Sequence, residues 1–148
     1  MSNRFVKFLS IFLGILMLAF GFLKFFQPFR GWFDAQIHLS HLPEQSILAG
    51  KIGEMITGFL FLLPWLWKSL NGTFRVAALL LASASLVVQM LTAIYVQLQP
   101  QVPGNILPLG IKPPYIPGFV LILALLTAIL VVREYLAKRS SSPISDGP

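Results

Sequence analysis

The chain has 148 residues, of which 56% are hydrophobic and 11% are charged, and its mean hydropathy is +0.80. Soluble domains carry about 25% charged residues, so the composition excludes an ordinary soluble domain and indicates a membrane protein with one domain. The net charge of +6 comes mainly from basic residues at the ends of apolar runs, which is typical of topology signals and not of nucleic-acid binding. Because the chain has no cysteine, thiol chemistry and disulfides are excluded.

Four apolar stretches are long enough to cross a bilayer, for which a helix needs about 20 residues. They run over Phe5–Phe26, Ile47–Trp67, Val76–Leu98 and Ile116–Val132. The first stretch lacks a small-residue cleavage site, so we interpret it as an uncleaved helix and not as a signal peptide. The sequence predicts an all-α membrane protein whose residues 1–138 form one bundle of four transmembrane helices. A disordered cytoplasmic tail is expected over residues 139–148.

The distribution of basic residues predicts the orientation. The N-terminal segment, the loop between the second and third spans, and the C-terminal segment hold seven of the eleven lysines and arginines. Because cytoplasmic loops are enriched in these residues, we expect a multi-pass protein of the cell (inner) membrane with both termini in the cytoplasm. The segment Gln97–Gly118 contains six of the eleven prolines, which predicts an extended, polyproline-like outer loop.

The first outer loop contains an amphipathic segment. Between Phe29 and Leu42, one side of a helix can carry the apolar side chains of Phe29, Trp32, Phe33 and Ile37. This pattern predicts a short interfacial helix on the outer surface with Trp32 and Phe33 toward the membrane. The polar side chains fall on the other side: Arg30, Asp34, His38 and His41. The last three are weak candidates for metal ligands, but a fourth ligand and a zinc-type spacing are missing, so we favour a solvated polar face with no metal. Neither histidine lies in a span, which argues against a haem held by paired histidines.

Charged residues inside the apolar spans are the most informative feature, because a buried charge is costly unless it is paired. At 1.5 Å per residue, Lys24 lies about 3 Å inside the end of the first span, while Lys51 and Glu54 lie about 6 and 10 Å into the second. An antiparallel pair of spans brings these depths together. We therefore expect a buried ion pair of Glu54 with Lys24 or Lys51. The spacing also permits an internal Lys51–Glu54 pair, which would leave Lys24 to extend to the headgroups.

Small and polar residues accompany these charges on the same helix faces. Glycines that would allow close helix packing are Gly14 and Gly21 beside Lys24, and Gly50 and Gly58 beside Glu54. The third span has Ser85, Gln89 and Thr92 on one face, which is more typical of hydrogen bonds between helices than of a ligand site. The candidate ligand or ion-pair residues are Lys24, Lys51, Glu54 and Gln89, and no residue is predicted to be catalytic.

Two stretches resemble a known family. The stretch FLGILMLAFGFLKFFQPF, with its glycines and Lys24, resembles the first helix of the DoxX-like family of small four-helix integral membrane proteins. The stretch LAGKIGEMITGFLFLLP resembles the second helix of that family, in which a glycine-flanked glutamate, here Glu54, is typical. The resemblance covers roughly Phe5–Leu136. Lys51, the polar face of the first loop and the long proline-rich loop depart from the family pattern.

The resemblance implies a subunit or accessory factor of a membrane redox system, linked to quinones or to thiol and oxidative stress. The resemblance makes a quinone the candidate cofactor, with Lys24 donating to its carbonyl and Glu54 accepting the quinol proton. The residues by themselves favour a purely structural polar cluster over a ligand site. Electrons would come from another protein, so we expect no activity of the chain alone. Two alternatives stay open: a non-enzymatic assembly or interaction factor that binds another membrane protein through its helices, and a proton-coupled carrier. The expected partners are membrane lipid and another membrane or membrane-associated protein.

Overall fold

The computed structural model describes residues 4–67 and 69–141, and within these residues it is helical, with five α-helices and two short 3₁₀ helices. The α-helices are α1 (Arg4–Leu23), α2 (Phe29–Leu39), α3 (Gln45–Leu66), α4 (Gly72–Leu98) and α5 (Tyr115–Ser140). All except α2 are long and apolar enough to cross a membrane, which confirms the four predicted spans. The helix α5 includes Arg139 and Ser140, so the prediction of a disordered tail is wrong for these two residues, and residues 142–148 lie outside the described chain.

The four long helices contact one another in a closed order: α1 packs on α3, α3 on α4, α4 on α5, and α5 on α1. Their buried side chains form one hydrophobic core that includes Leu13, Phe61, Leu79, Leu86 and Ala124. Large apolar side chains elsewhere on the same helices are exposed, for example Ile15, Ile56, Phe59, Leu81 and Ile122. An apolar exterior around an apolar core is the arrangement that a lipid bilayer solvates.

The two ends of the helix array differ, and we name each end after one of its features. The hairpin end carries the start of α1, the end of α5 and the turn between α3 and α4, where the Asn71 side chain caps α4 by accepting a hydrogen bond from the Phe74 amide at 2.8 Å. The α2 end carries α2 and the connection between α4 and α5. The candidate residues Lys24, Lys51 and Glu54 lie toward the α2 end.

The connection between α4 and α5 is compact, so the prediction of an extended, polyproline-like loop is wrong. It contains the two 3₁₀ helices Gly104–Ile106 and Pro108–Gly110. Val102 and Leu107 are buried against the end of α4, and the Lys112 ammonium donates to the backbone carbonyls of two loop residues. The prolines do not extend the loop because the apolar residues between them pack on the helix ends. Gln36 of α2 donates to the Ile106 carbonyl at 2.5 Å, which ties this connection to α2.

Candidate functional site

The centre of the candidate site is an ion pair between α1 and α3. The Lys24 ammonium, one residue beyond the last residue of α1, donates to Glu54 Oε1 at 2.5 Å. Both side chains are largely buried, with 17% and 11% of their surfaces exposed. The expectation that Glu54 pairs with Lys24 or Lys51 is therefore confirmed for Lys24. A carboxylate and an ammonium kept away from water remain charged most readily when they lie this close together.

Glycines bring α1 and α3 close enough for this pair to form. A Cβ atom on Gly21 would lie 3.1 Å from the Glu54 Cβ, so α1 passes directly over Glu54 at that point. Further along, a Cβ atom on Gly58 would lie 2.8 Å from the Gly14 carbonyl oxygen. The predicted small-residue contact between these helices is present at Gly14, Gly21 and Gly58. Gly50 differs, because its Cα faces the Phe33 ring of α2 at a distance that leaves no room for a Cβ.

Lys51 pairs with α2 and not with Glu54. Its ammonium donates to Asp34 Oδ1 at 2.7 Å, so the internal Lys51–Glu54 pair is not formed. This contact also corrects the prediction that Asp34 belongs to a solvated polar face, because Asp34 turns toward α3. His38 and His41 are exposed, and within the described chain no group of three or more His, Cys, Asp or Glu side chains could hold a metal ion.

The helix α2 covers the ion pair. The Phe33 ring lies under the Lys24 ammonium, with 3.9 Å between the nitrogen and the ring centroid. Such a contact between a cation and an aromatic face is attractive, and more so where water is excluded. Phe33 therefore points inward, whereas we expected it to point to the membrane together with Trp32, which is 37% exposed. Phe33 and Asp34 together hold α2 across the end of α1 and α3.

A cavity of about 630 Å³ lies beside the ion pair at the α2 end. Its walls come from α1 to α5 and from the connection between α4 and α5, and they are mostly apolar. The polar lining includes Lys24, Glu54, Gln89 and Gln97. The volume lies inside the range of about 300–1,000 Å³ that is typical of small-molecule sites, which are also apolar with a few polar groups.

Gln89 reaches this cavity from a hydrogen-bonded cluster between α3 and α4. Its amide nitrogen donates to Thr57 Oγ1 at 2.7 Å and to Ser85 Oγ at 2.9 Å, and the two hydroxyl oxygens are 2.7 Å apart. The expectation that this face of the third span makes hydrogen bonds between helices is confirmed for Ser85 and Gln89. Thr92 instead donates to the Val88 carbonyl of its own helix.

Three residues that line the cavity each have one buried side-chain oxygen that accepts no hydrogen bond from the described residues. These oxygens are Glu54 Oε2, Gln89 Oε1 and Gln97 Oε1. Buried polar atoms are nearly always hydrogen-bonded, because an unpaired acceptor away from water costs free energy. These three acceptors therefore add a free-energy cost to the folded chain in this region.

The sequence pointed to Lys24, Glu54 and Gln89, and the structure places all three on the cavity wall. Lys51 does not line the cavity. Its ammonium instead forms an ion pair with a side chain of α2. Sequence reasoning missed Gln97, which lies near the end of the predicted third span, where the proline-rich segment begins. A signal was available, since Gln97 follows Gln89 by eight residues in a run that is otherwise almost entirely apolar.

Comparison with known proteins gives no relative in which to look for the same site. No family model, curated protein or solved structure matches the chain. The chemistry of the site therefore rests on its own side chains: a buried ion pair and a mostly apolar cavity.

Proposed function

We propose that the chain is a four-helix bundle of the cell (inner) membrane, with both termini in the cytoplasm and α2 at the outer interface. The closed packing order of the four long helices supports the bundle. The basic residues support the orientation, because seven of eleven belong to the segments on the side of the two termini. The exposed rings of Phe29 and Trp32 support an interfacial position for α2, since aromatic side chains are enriched where headgroups begin.

Within this bundle, the cavity at the α2 end binds a quinone of the membrane pool. The observation that carries this proposal is the buried Lys24–Glu54 pair on the wall of an apolar cavity. Exposed apolar side chains also belong to the lining, among them Phe20, Phe29 and Val88, so a lipid-soluble ring compound can approach from the hydrocarbon. An intramembrane carboxylate next to such a cavity is a candidate for proton exchange with the ligand.

Lys24 and Glu54 have different roles toward this ligand. An ammonium has three N–H donors, and Glu54 Oε1 takes one from Lys24, so a second can reach a quinone oxygen. The Glu54 carboxylate relays from water at the α2 end, one after the other, the two protons that together with two electrons convert a quinone into a quinol. Each quinone reduced needs two electrons and two protons. The electrons come from a partner protein with a redox cofactor, so the chain acts as an accessory membrane subunit of a redox system.

The DoxX-like resemblance of the first two spans supports this role, because members of that family include subunits of quinone-linked systems. The competing role is a non-enzymatic assembly factor that uses its helices to bind another membrane protein. Such a factor needs the packing of its helices but no ligand in the cavity. The two roles therefore differ in which molecules co-purify with the chain from the membrane.

The test is purification of the full chain from its native membrane in a mild detergent, followed by identification of extracted lipid-soluble compounds and of co-purifying proteins. We expect a quinone enriched over that found with an unrelated protein from the same membrane, together with a redox protein. A membrane protein without a redox cofactor, recovered with no quinone enrichment, would favour the assembly factor.

A single variant tests the proton role. Glu54→Gln keeps the shape of the side chain and an oxygen that accepts from Lys24, but an amide exchanges no proton near neutral pH. The long Lys24 side chain can extend to the headgroups once its partner carries no charge, so we expect normal abundance of the variant in the membrane and loss of quinone-linked activity of the assembled system. Normal activity at normal abundance would refute the proton role.

A further inference from the structure

A second cleft, of about 350 Å³, lies at the hairpin end between the start of α4 and the end of α5, and we call it the hairpin-end cleft. Its walls come from both helices: Gly72, Thr73 and Val76 of α4, and Tyr135, Lys138 and Arg139 of α5. The polar side chains among them are two cations and two hydroxyls, all of which can donate hydrogen bonds, and no lining residue is acidic. This set of donors suits an anion.

Most of these donors are not used within the protein. The Arg139 guanidinium and the hydroxyls of Thr73 and Tyr135 make no hydrogen bond or ion pair with the residues that the structure describes. Lys138 differs, because its ammonium nitrogen lies 3.4 Å from Glu134 Oε1 and part of its charge is balanced there. Arg139 therefore supplies most of the positive charge that a ligand can use. A guanidinium can bind two oxygens of one phosphate at the same time.

The hairpin end as a whole is positively charged. Among residues 4–67 and 69–141, the basic residues at this end are Arg4, Lys7, Arg75, Arg133, Lys138 and Arg139. The one acidic residue at this end in the same ranges is Glu134. Basic side chains at the surface of a membrane attract anionic headgroups, and the contributions of several such side chains add up. The surroundings of the cleft therefore favour a negatively charged ligand as well.

The cleft continues into an apolar groove between α4 and α5. Leu80 follows Thr73 by seven residues and lies on the same face of α4, about 10 Å further into the membrane. On α5, Val132 and Ala128 precede Tyr135 by three and seven residues and share its face. Leu80 and Ala128 are half-buried, and Val132 is exposed. A molecule whose charged group occupies the cleft can thus lay an alkyl chain along the groove.

We propose that the hairpin-end cleft binds the headgroup of an anionic phospholipid, with an acyl chain in the groove between α4 and α5. Arg139 binds the phosphate, and Lys138 adds to the positive charge. The hydroxyls of Thr73 and Tyr135 donate to the remaining oxygens of the headgroup. The buried side chain of Val76 gives the cleft an apolar floor beneath the phosphate. This site is separate from the cavity at the α2 end and does not depend on the quinone proposed there.

The test is native mass spectrometry of the full chain, purified in detergent, delipidated and titrated with single lipids. The lipid probes are dioleoylphosphatidylglycerol, which is anionic, and dioleoylphosphatidylcholine, which is zwitterionic and has the same acyl chains. We expect the first phosphatidylglycerol to bind about tenfold more tightly than phosphatidylcholine, since one free cation and one shared with Glu134 correspond to roughly that factor. Glycerol 3-phosphate, which has no acyl chain, should not displace the lipid at equal concentration.

A variant pair locates the site on α5. Arg139→Gln removes a cation of the cleft and should lower the affinity for phosphatidylglycerol several-fold while leaving that for phosphatidylcholine unchanged. Arg133→Gln is the matched control, because it removes an equal charge from the same exposed end of α5, outside the cleft lining. This control should bind phosphatidylglycerol nearly as tightly as wild type. Thr73→Val keeps the shape, removes one hydroxyl of the cleft and should lower the same affinity to a smaller extent.

Monodisperse elution and the affinity for phosphatidylcholine show whether each variant is folded. Equal affinities of the wild-type chain for the two lipids would overturn the proposal, and so would displacement by glycerol 3-phosphate, because the groove would then play no part. Equal losses in Arg139→Gln and Arg133→Gln would also contradict it, since the preference would then come from the overall charge of the hairpin end. If Arg139→Gln does not fold, an unchanged phosphatidylglycerol affinity of Thr73→Val would overturn the assignment to the cleft.

Discussion

The contact between α1 and α3 is built differently in its two halves. Toward the hairpin end the helices touch through backbone, since a Cβ atom on Gly58 would lie 2.8 Å from the Gly14 carbonyl oxygen and equally close to the Leu18 amide nitrogen. Toward the α2 end, a Cβ atom on Gly21 would lie 3.1 Å from the Met55 amide nitrogen, and the Lys24–Glu54 pair adds a side-chain contact beside the cavity. The first half leaves no space for a ligand, and the second half is organised around a space.

The difference shows how a small membrane protein can keep a costly charge in place. Close backbone contact maximises dispersion between helices where lipid gives no hydrophobic driving force. The close contact at Gly14 and Gly58 sets the axial register and the relative rotation of α1 and α3. The ammonium and the carboxylate at the other half then meet without having to draw the helices together. The half of the contact at Gly14 and Gly58 therefore supports the half that carries the Lys24–Glu54 pair.

The largest expected effect comes from breaking the ion pair on one side. Lys24→Met leaves the Glu54 carboxylate buried without its ammonium, and removal of one partner of a buried pair costs about 3 kcal/mol. We expect a clear loss of thermal stability in detergent, measured by the fraction of monodisperse protein after heating. In Lys24→Met with Glu54→Leu, no charge remains to be desolvated, so most of the stability should return. A double variant as unstable as the single one would show that the pair is not the cause.

The second largest expected effect tests the close helix contact at Gly14 and Gly58. Gly58→Ala places a methyl group against the backbone of α1, which cannot move as a side-chain end can, and such overpacking costs about 2 kcal/mol. The same heating assay measures it. Gly118→Ala is the matched control, because a Cβ atom there meets nothing within 4 Å and alanine favours helix. Equal stabilities of the two variants would contradict the close packing of α1 and α3.

The smallest effect concerns the cover formed by α2. Asp34→Asn keeps the shape but removes the charge that pairs with Lys51 at 2.7 Å, so α2 should open more often. We expect amide hydrogen exchange in α2 to quicken about threefold, in line with the modest contribution of a partly exposed pair, while α1 and α3 stay unchanged. Arg30→Gln should change little, because Arg30 is largely exposed and lies 3.8 Å from Asp34. Equal exchange in wild type and Asp34→Asn would mean that this pair does not hold α2.

Much of this arrangement could be predicted from local sequence. The spans follow from apolar length, which a bilayer dictates directly. A pair of Glu54 with Lys24 or Lys51 follows from depth, because an antiparallel hairpin aligns residues at equal distances from its connection. Depth alone does not choose between the two lysines. The start of α2 at Phe29 and its amphipathic pattern are equally local properties.

The remaining features depend on contacts between distant segments. Asp34 meets Lys51 because α2 folds back over α3, and helical periodicity in α2 alone cannot show that. The connection after α4 packs through Val102 and Leu107, whose burial outweighs the extended preference of the neighbouring prolines. Gln97 lies within the predicted third span, but apolar length and periodicity cannot show that it lines a cavity.

We propose above all that the cavity at the α2 end binds a quinone. The most direct measurement compares decylubiquinone affinity in wild type, Gly53→Leu and Gly118→Leu by titration calorimetry. Gly53 lines the cavity, with room for a first carbon atom beside Gln89, so the rest of a leucine side chain occupies ligand space. We expect at least tenfold weaker binding for Gly53→Leu and unchanged binding for Gly118→Leu, with both variants folded. Quinone affinity that is unchanged in Gly53→Leu would contradict the proposal, because the ligand would then bind elsewhere.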